Sequence, residues 1–370
     1  MTRVHQCIHF LIAKPMLVLI QEFMNIKHLT TICMYLNLGT PIKAPLRVYG
    51  GLLHTMWRID INKASYAIKQ LSQDINLTDE HVVNNYELSE QVASRFANLG
   101  IPAINAIEKS GKHLIIIDGT GFLVYPWVDA QALDQDAISE KHALKIAHVL
   151  AKMHYINLDV PGIAQPEFFI YTKEQILKLI AKAQNFNCPF ASTLTENQNN
   201  IFVANKAYQN SIYTLKNQVV VSHGDLDQKN VLWDKDDNPI LIDWEAACKI
   251  NSTYDIISAA FNWSGIATHF NAELFLKMIN VYQETGGIIN TDHLEAAFYG
   301  TFSWIGWLVY NIERSCVSDE SEYKNLGMEQ ANKTLNTILR LQVIIPELIK
   351  ITTTCIESKK LTIFLRNKNV

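Results

Sequence analysis

The sequence contains no Cys-x-x-Cys pair. Its six cysteines, Cys7, Cys33, Cys188, Cys248, Cys316 and Cys355, are scattered along 370 residues. That excludes a zinc ribbon or a thioredoxin-like dithiol and suits free thiols in a reducing cytosol. There is no basic excess either: 32 Lys and Arg stand against 36 Asp and Glu, a net charge of -4, so the electrostatic footprint of a nucleic-acid binder is missing. No internal repeat and no low-complexity tract occurs. An unbroken apolar run long enough to span a bilayer is also lacking. The apolar stretch from Cys7 to Ile20 is interrupted by Lys14 and Pro15, too short and broken for a spanning helix. It does not have the basic start and continuous apolar core of a secretory signal either. Residues 1–24 therefore read as a poorly structured, dispensable extension. The expected location is cytoplasmic, with no stable membrane association and no nucleic-acid partner.

What is present suits a globular protein of two packed lobes: 42.1 kDa, 48% hydrophobic and 18% charged. A regular amphipathic pattern begins at Met24, with a helix expected over Ile26 to Leu38. Strands are expected over Arg47 to Gly51, Met56 to Ile61, Ser65 to Leu71, Ile104 to Glu108, Leu114 to Ile117 and Gly121 to Val128. One long helix separates them, from Asp79 to Asn98, stopped by Gly100 and Pro102. The pattern predicts an α+β N-terminal lobe over residues 25–128, an antiparallel sheet carrying one main helix. Residues 129–358 read as a larger, mainly helical lobe, with a polar loop over Asn185 to Asn200, and residues 359–370 as a loose tail.

The chemistry concentrates in VSHGDLDQKNVLWDKDDNPILIDWEAAC, Val221 to Cys248. Asp225 and Asn230 share one short loop. Asp243 follows a polar turn, Asp236-Asp237-Asn238-Pro239, that predicts a hairpin. A hairpin brings the second carboxylate back to the first loop. Two oxygen donors of this kind suit Mg²⁺, which keeps water and substrate phosphate as its other ligands. The remaining carboxylate, Asp225, is then free to accept a hydroxyl proton, the division of labour in kinase-type phosphoryl transfer.

HGDLDQKN resembles the H-G-D-x-x-x-x-N catalytic loop of the aminoglycoside phosphotransferase and choline kinase family, and LIDWE resembles the family's second motif. Other segments follow in family order over roughly residues 25 to 345. YGGLLHTMW resembles the nucleotide loop, SYAIKQL the lysine-bearing strand, YELSEQVASRFANLGIP the helix with its partner glutamate, and FLVYPWVDA the hinge. The resemblance implies a two-lobed protein-kinase-like fold and a small-molecule kinase using ATP and Mg²⁺. It makes Asp225 the catalytic base and Asn230 and Asp243 the metal ligands. Lys69 becomes the phosphate-contacting lysine, paired with Glu90, or with Glu87 one turn earlier. Gly50 and Gly51 become the nucleotide loop, and Tyr125, Trp127 and Val128 the adenine hinge. His223 becomes a structural histidine and Asp255 an acid that props the catalytic loop.

Departures from the wider kinase pattern are informative. Gly224 replaces the arginine that reads a phosphorylated activation loop, and no Ala-Pro-Glu segment follows Asp243; both favour a small-molecule acceptor. Pro126 removes a hinge donor. Net charge and Asp227 lean toward a cationic acceptor, an aminoglycoside-like or choline-like compound, with sugars also in the family's range. His54 reads as solvated. The helical face Trp304, Trp307, Asn311, Arg314 fits either helix-bundle core, the favoured reading, or a wall of the acceptor pocket. The alternative to an enzyme is a nucleotide-binding module without turnover, acting as sensor or scaffold. The expected assembly is a monomer or homodimer.

Overall fold

The computed structural model describes residues 24–49, 54–62, 64–134, 137–318 and 322–368. Gly50 and Gly51, expected in a nucleotide loop, and the extension before Met24 lie outside the described residues.

A five-stranded antiparallel sheet forms the N-terminal lobe, in the order β1-β2-β3-β5-β4. The strands are β1 (Leu46–Val48), β2 (Thr55–Ile61), β3 (Ala64–Gln70), β4 (Ile115–Ile117) and β5 (Thr120–Pro126). Helix α1 (Ile26–Leu36) starts where the Asn25 side chain accepts the Lys27 N–H, and stops where Asn37 turns left-handed at φ 56°. It buries Leu29, Ile32 and Cys33 against Trp57, Ile59, Ile68 and Phe122 of the sheet. Helix α2 (Glu80–Asn98), capped by Asp79, carries two buried acids, Glu87 and Glu90. Its far end joins the other lobe: Phe96 packs on Trp244 with ring centroids 5.7 Å apart.

The larger lobe is built from α3 (Glu140–Ile156), α4 (Lys173–Asn185), α5 (Ala191–Glu196), α6 (Gln198–Leu215), α7 (Ser252–Trp263), α8 (Ala272–Glu284), α9 (Thr291–Gly300), α10 (Trp304–Ser315) and α11 (Glu322–Lys368). Two small antiparallel sheets carry residues 221–248. One is β6 (Gln131–Ala132), β8 (Val231–Trp233) and β9 (Pro239–Leu241); the other pairs β7 (Val219–Ser222) with β10 (Cys248–Asn251). The hairpin turn closes as its composition predicts. The Asp234 carboxylate accepts the N–H groups of Asp236 and Asn238, and Trp233 pairs with Pro239. No described helix is long and apolar enough to cross a membrane.

Three expectations need correction. Ile104 to Glu108 is no sheet strand: the Ile104 N–H donates to Leu241 and the Ile107 N–H to Val124, so this stretch ties the lobes together. The loop expected over 185–200 holds α5 and the start of α6, because Phe190, Leu194 and Ile201 bury one face between its polar residues. The tail expected to be loose after residue 359 is helical through Lys368, continuing α11.

Candidate active site

The loop after β7 is folded around a glycine. Gly224 sits at φ +78°, and a Cβ there would stand 2.0 Å from the Ala246 carbonyl oxygen. Only glycine lets this loop touch the segment after Asp243. Beside it, His223 donates from Nε2 to the Ile242 carbonyl oxygen at 2.9 Å, and its ring lies 4.5 Å from Trp244. Burial pushes its pKa down, as suits a neutral imidazole that joins the two motif strands rather than one that shuttles protons.

Asn230 spends its amide on Asp225, donating to the carbonyl oxygen and to Oδ2, both at 2.8 Å. Its own Oδ1 remains an acceptor. Lys229 stands 3.3 Å from the same Asp225 oxygen. Asp243 adopts a left-handed backbone at φ 63°, ψ 60°, a conformation tolerated by short polar side chains. Its side chain is 42% exposed, and Oδ1 meets Lys69 Nζ at 2.9 Å. The three motif residues and Lys69 thus gather at one cleft.

Lys69 is paired with Glu245, not with Glu90 or Glu87. Both expected partners are taken. Glu90 accepts the Ala106 N–H and the Tyr125 hydroxyl, each at 2.6 Å. Glu87 accepts the His113 and Leu114 N–H groups at 2.9 and 3.1 Å and contacts His113 Nδ1 at 3.1 Å. Burial pushes the Glu90 pKa up against these bonds. Glu245 also receives His54 Nε2 at 3.2 Å, while His54 Nδ1 accepts the Ser72 N–H at 3.1 Å. That acceptance fixes the proton on Nε2. His54 is therefore buried in the site rather than solvated. Burial disfavours both charges in the pair. Asp243 and Glu245 still hold the Lys69 ammonium above its ordinary range, and Lys69 and His54 hold Glu245 below the usual carboxylate range. Glu245 is the site residue that sequence reasoning missed. It stands in the quoted LIDWE, two places after Asp243, but the left-handed residue at Asp243 and the 3-10 turn Trp244–Ala246 that aim it at Lys69 leave no periodic signal.

The hinge is poor in donors. Tyr125 uses its hydroxyl on Glu90, Pro126 has no N–H, and the Trp127 N–H donates to the Ser65 carbonyl oxygen at 2.9 Å. Val128 follows, half-buried. Asp255 accepts from His154 Nε2 at 3.0 Å, and His154 Nδ1 is 2.7 Å from the Tyr282 hydroxyl. This network joins α3, α7 and α8 under the catalytic loop.

A cavity of about 970 Å³ opens beside Asp225 and Glu245. Its far wall is α10: Trp304, Trp307, Tyr310 and Arg314 line it. The helical face expected in the core is thus largely a cavity wall; only Asn311 is wholly enclosed, its amide donating to the Trp307 carbonyl oxygen at 2.9 Å. Asp227, expected to meet an acceptor or solvent, does neither. It is buried under the loop and accepts the Gln228 N–H.

Among the described residues no group of three or more His, Cys, Asp or Glu is placed to hold a metal. Mg²⁺ bound with phosphate and water needs only one or two protein oxygens. The part-exposed Asp243 carboxylate and the Asn230 carbonyl oxygen fit that requirement.

No curated protein matches the chain. Solved structures share its fold. Spectinomycin phosphotransferase APH(9)-Ia, in complex with ADP and spectinomycin, is 13% identical with a TM-score of 0.64; the match covers 87% of this chain and 99% of that one. Choline kinase from Cryptosporidium parvum Iowa II is 14% identical with a TM-score of 0.53, covering 89% and 99%. An aminoglycoside phosphotransferase from Alicyclobacillus acidocaldarius is 12% identical with a TM-score of 0.53, covering 82% and 92%. At these identities the likeness speaks for the two-lobed kinase fold alone. The sequence itself matches the family model for phosphotransferase enzymes over residues 54–285, which takes in β2, the lysine strand, the catalytic loop and Asp243. The chain belongs to the phosphotransferase enzyme family, the small-molecule kinases of this fold.

Proposed function

We propose that the protein moves the γ-phosphoryl group of ATP, with Mg²⁺, to a hydroxyl of a small molecule held in the cavity beside Asp225. The observation that carries this reading is the pairing of Asp225 with Asn230 and of Asp243 with Lys69 on neighbouring segments, tied by the Ile242 N–H to the Asn230 backbone carbonyl, with Asp225 also lining that cavity. Asp225 orients the acceptor hydroxyl and takes its proton. The new bond joins the acceptor oxygen to the γ-phosphorus, the bond to the β–γ bridging oxygen breaks, and ADP leaves. Asn230 holds the Asp225 carboxylate in place through its amide. Asn230 Oδ1 and Asp243 would hold Mg²⁺, which would supply positive charge against the phosphates when bound. Lys69, kept cationic by Asp243 and Glu245, serves the phosphates as a fixed charge.

The test is ADP release by the purified chain with Mg·ATP and a broad panel of hydroxyl compounds, scored by the mass of the phosphorylated product. Asp225→Asn should lower kcat at least ~10²-fold, the low end for a general base. Asp225 is assigned to the acceptor and neither to the metal nor to the phosphates, so nucleotide affinity should be retained. Near-normal kcat in this variant would remove Asp225 from the role.

A further inference from the structure

The charges around the cavity are unequally satisfied. Asp225 is held by Asn230 and Lys229, Glu245 by Lys69 and His54, and Asp255 by His154. The acidic side of the cavity is thus compensated from within the protein. Arg314 is not. It is only 5% exposed, borders the cavity in the last turn of α10, and has no carboxylate partner among the described residues. Among the described residues one of its five N–H donors has a partner, Nε donating to the Tyr323 carbonyl oxygen at 2.9 Å. The guanidinium lies 4.2 Å from the Tyr323 ring centroid and 6.0 Å from that of Tyr310. These contacts set its plane without neutralising it.

Its position is also built into the neighbouring helix. A Cβ at Gly327 of α11 would stand 3.0 Å from Arg314 Cγ and equally close to the Ser315 N and Oγ, so a helix-weakening glycine lets α11 close on this turn of α10 and on the arginine stem with it. Burying a guanidinium is costly unless it is paired, and burial works against its charge here. A buried cation with unspent paired donors beside an open cavity calls for an anion that arrives with the ligand.

We propose that the acceptor carries a carboxylate, which Arg314 binds, while its hydroxyl points to Asp225 and its carbon body packs on Trp304 and Trp307. This rests on the kinase reading above and narrows it to hydroxy acids. A carboxylate suits the site better than a phosphate dianion, because it brings one negative charge to one guanidinium, whereas a dianion brings a second charge for which the cavity wall offers no further unpaired cation among the described residues. The exposed rim acids, Asp74, Asp79 and Glu167, stand in water, where their field is screened. The site thus points away from the cationic acceptor that net charge and Asp227 suggested.

The experiment compares glycerate, serine and gluconate with their primary amides, and with choline and kanamycin as cationic compounds, in the Mg·ATP assay. The expected result is turnover of an acid with kcat/KM about 10- to 100-fold above its amide, the range for a charged hydrogen-bonded pair. In Arg314→Gln that acid-to-amide ratio should collapse toward one through KM, and Arg314→Lys should restore part of it. An equal loss for acid and amide in Arg314→Gln, measured on protein whose melting temperature matches Arg314→Lys, makes Arg314 a packing residue and overturns the proposal. ADP release with amides or cations but not acids also overturns it and leaves the kinase reading intact. No ADP release with any compound, together with no binding of Mg·ATP, overturns the kinase reading and this proposal with it.

Discussion

Replacing Asp227 with Asn should stabilise the protein, and by an amount that depends on pH. Asp227 is 5% exposed. Desolvation raises its pKa; Lys229 pulls it back, Asp225 raises it further, and the Gln228 and Lys229 amides lower it, leaving it pushed up to about 6 from a usual 3.8. An acid whose folded pKa is raised takes up a proton on folding between those two values. Stability therefore falls as pH rises through that window and stays at the lower level above it. At ~1.4 kcal/mol per pKa unit, a shift of about 2 units corresponds to a cost of roughly 3 kcal/mol at pH 7.5 and about half that at pH 5. Asparagine has the same shape and caps helical turns equally well, so the bond from the Gln228 N–H is kept while the charge is removed. Denaturant unfolding of Asp227→Asn and the parent at pH 7.5 and pH 5 should show a gain of about 1–3 kcal/mol that shrinks at the lower pH. A variant that is less stable than the parent, or shifted equally at both pH values, would refute the reasoning and show that the Asp227 charge is well solvated or well paired.

Asp243→Ala should weaken ATP binding in the presence of Mg²⁺ far more than in its absence, as measured by isothermal titration; an unchanged Mg²⁺ dependence sinks the ligand assignment. Glu245→Ala should cost about 3 kcal/mol, the lower end for breaking a buried ion pair, because Lys69 keeps Asp243 while His54 loses its partner; a denaturant midpoint within error of the parent contradicts this. The Glu245 contribution is present above the usual carboxylate range and is lost as pH falls below it, since its folded pKa is depressed. Gly224→Ala should lower the yield of folded protein and destabilise it by more than the ~1–2 kcal/mol of left-handed strain, because the added Cβ overlaps the Ala246 backbone. Circular dichroism melting that matches the parent would show that the loop can move aside.

The loop of Asp225 and Asn230 and the hairpin that leads to Asp243 were legible because their residues are close in sequence and joined by one tight turn, so spacing carries the geometry. The lobes were legible through periodicity and order. Lys69 on its strand was found for the same reason. Its partner was not: Glu245 lies 176 positions away, and no local pattern says which of several buried acids a lysine meets. Glu87 and Glu90 looked suitable on α2, but backbone N–H groups from residues 106, 113 and 114 claim them, and a one-dimensional reading does not show backbone donors arriving from another segment. The stripe Trp304, Trp307, Arg314 shows the complementary limit. Helical periodicity finds a buried face, but an apolar core and a ligand cavity impose the same period. The short helix α5 was hidden among Asn, Thr and Gln, whose loop preference is overridden by its buried Ala191 and Leu194 and by Phe190 just before it.

The contact between Lys69 and Asp243 makes ligand binding a displacement rather than an addition. The two residues belong to different lobes and neutralise one another across the cleft. A phosphate that draws the ammonium to itself strips Asp243 of its counter-charge, and a cation that draws the carboxylate does the same to Lys69. Either ligand alone leaves one charge stranded, with Glu245 retaining only part of the lysine's field. When both arrive, each takes the group that the other has released. The exchange couples the two affinities, and by linkage the coupling is equal in both directions: the nucleotide should tighten the metal by the same factor as the metal tightens the nucleotide.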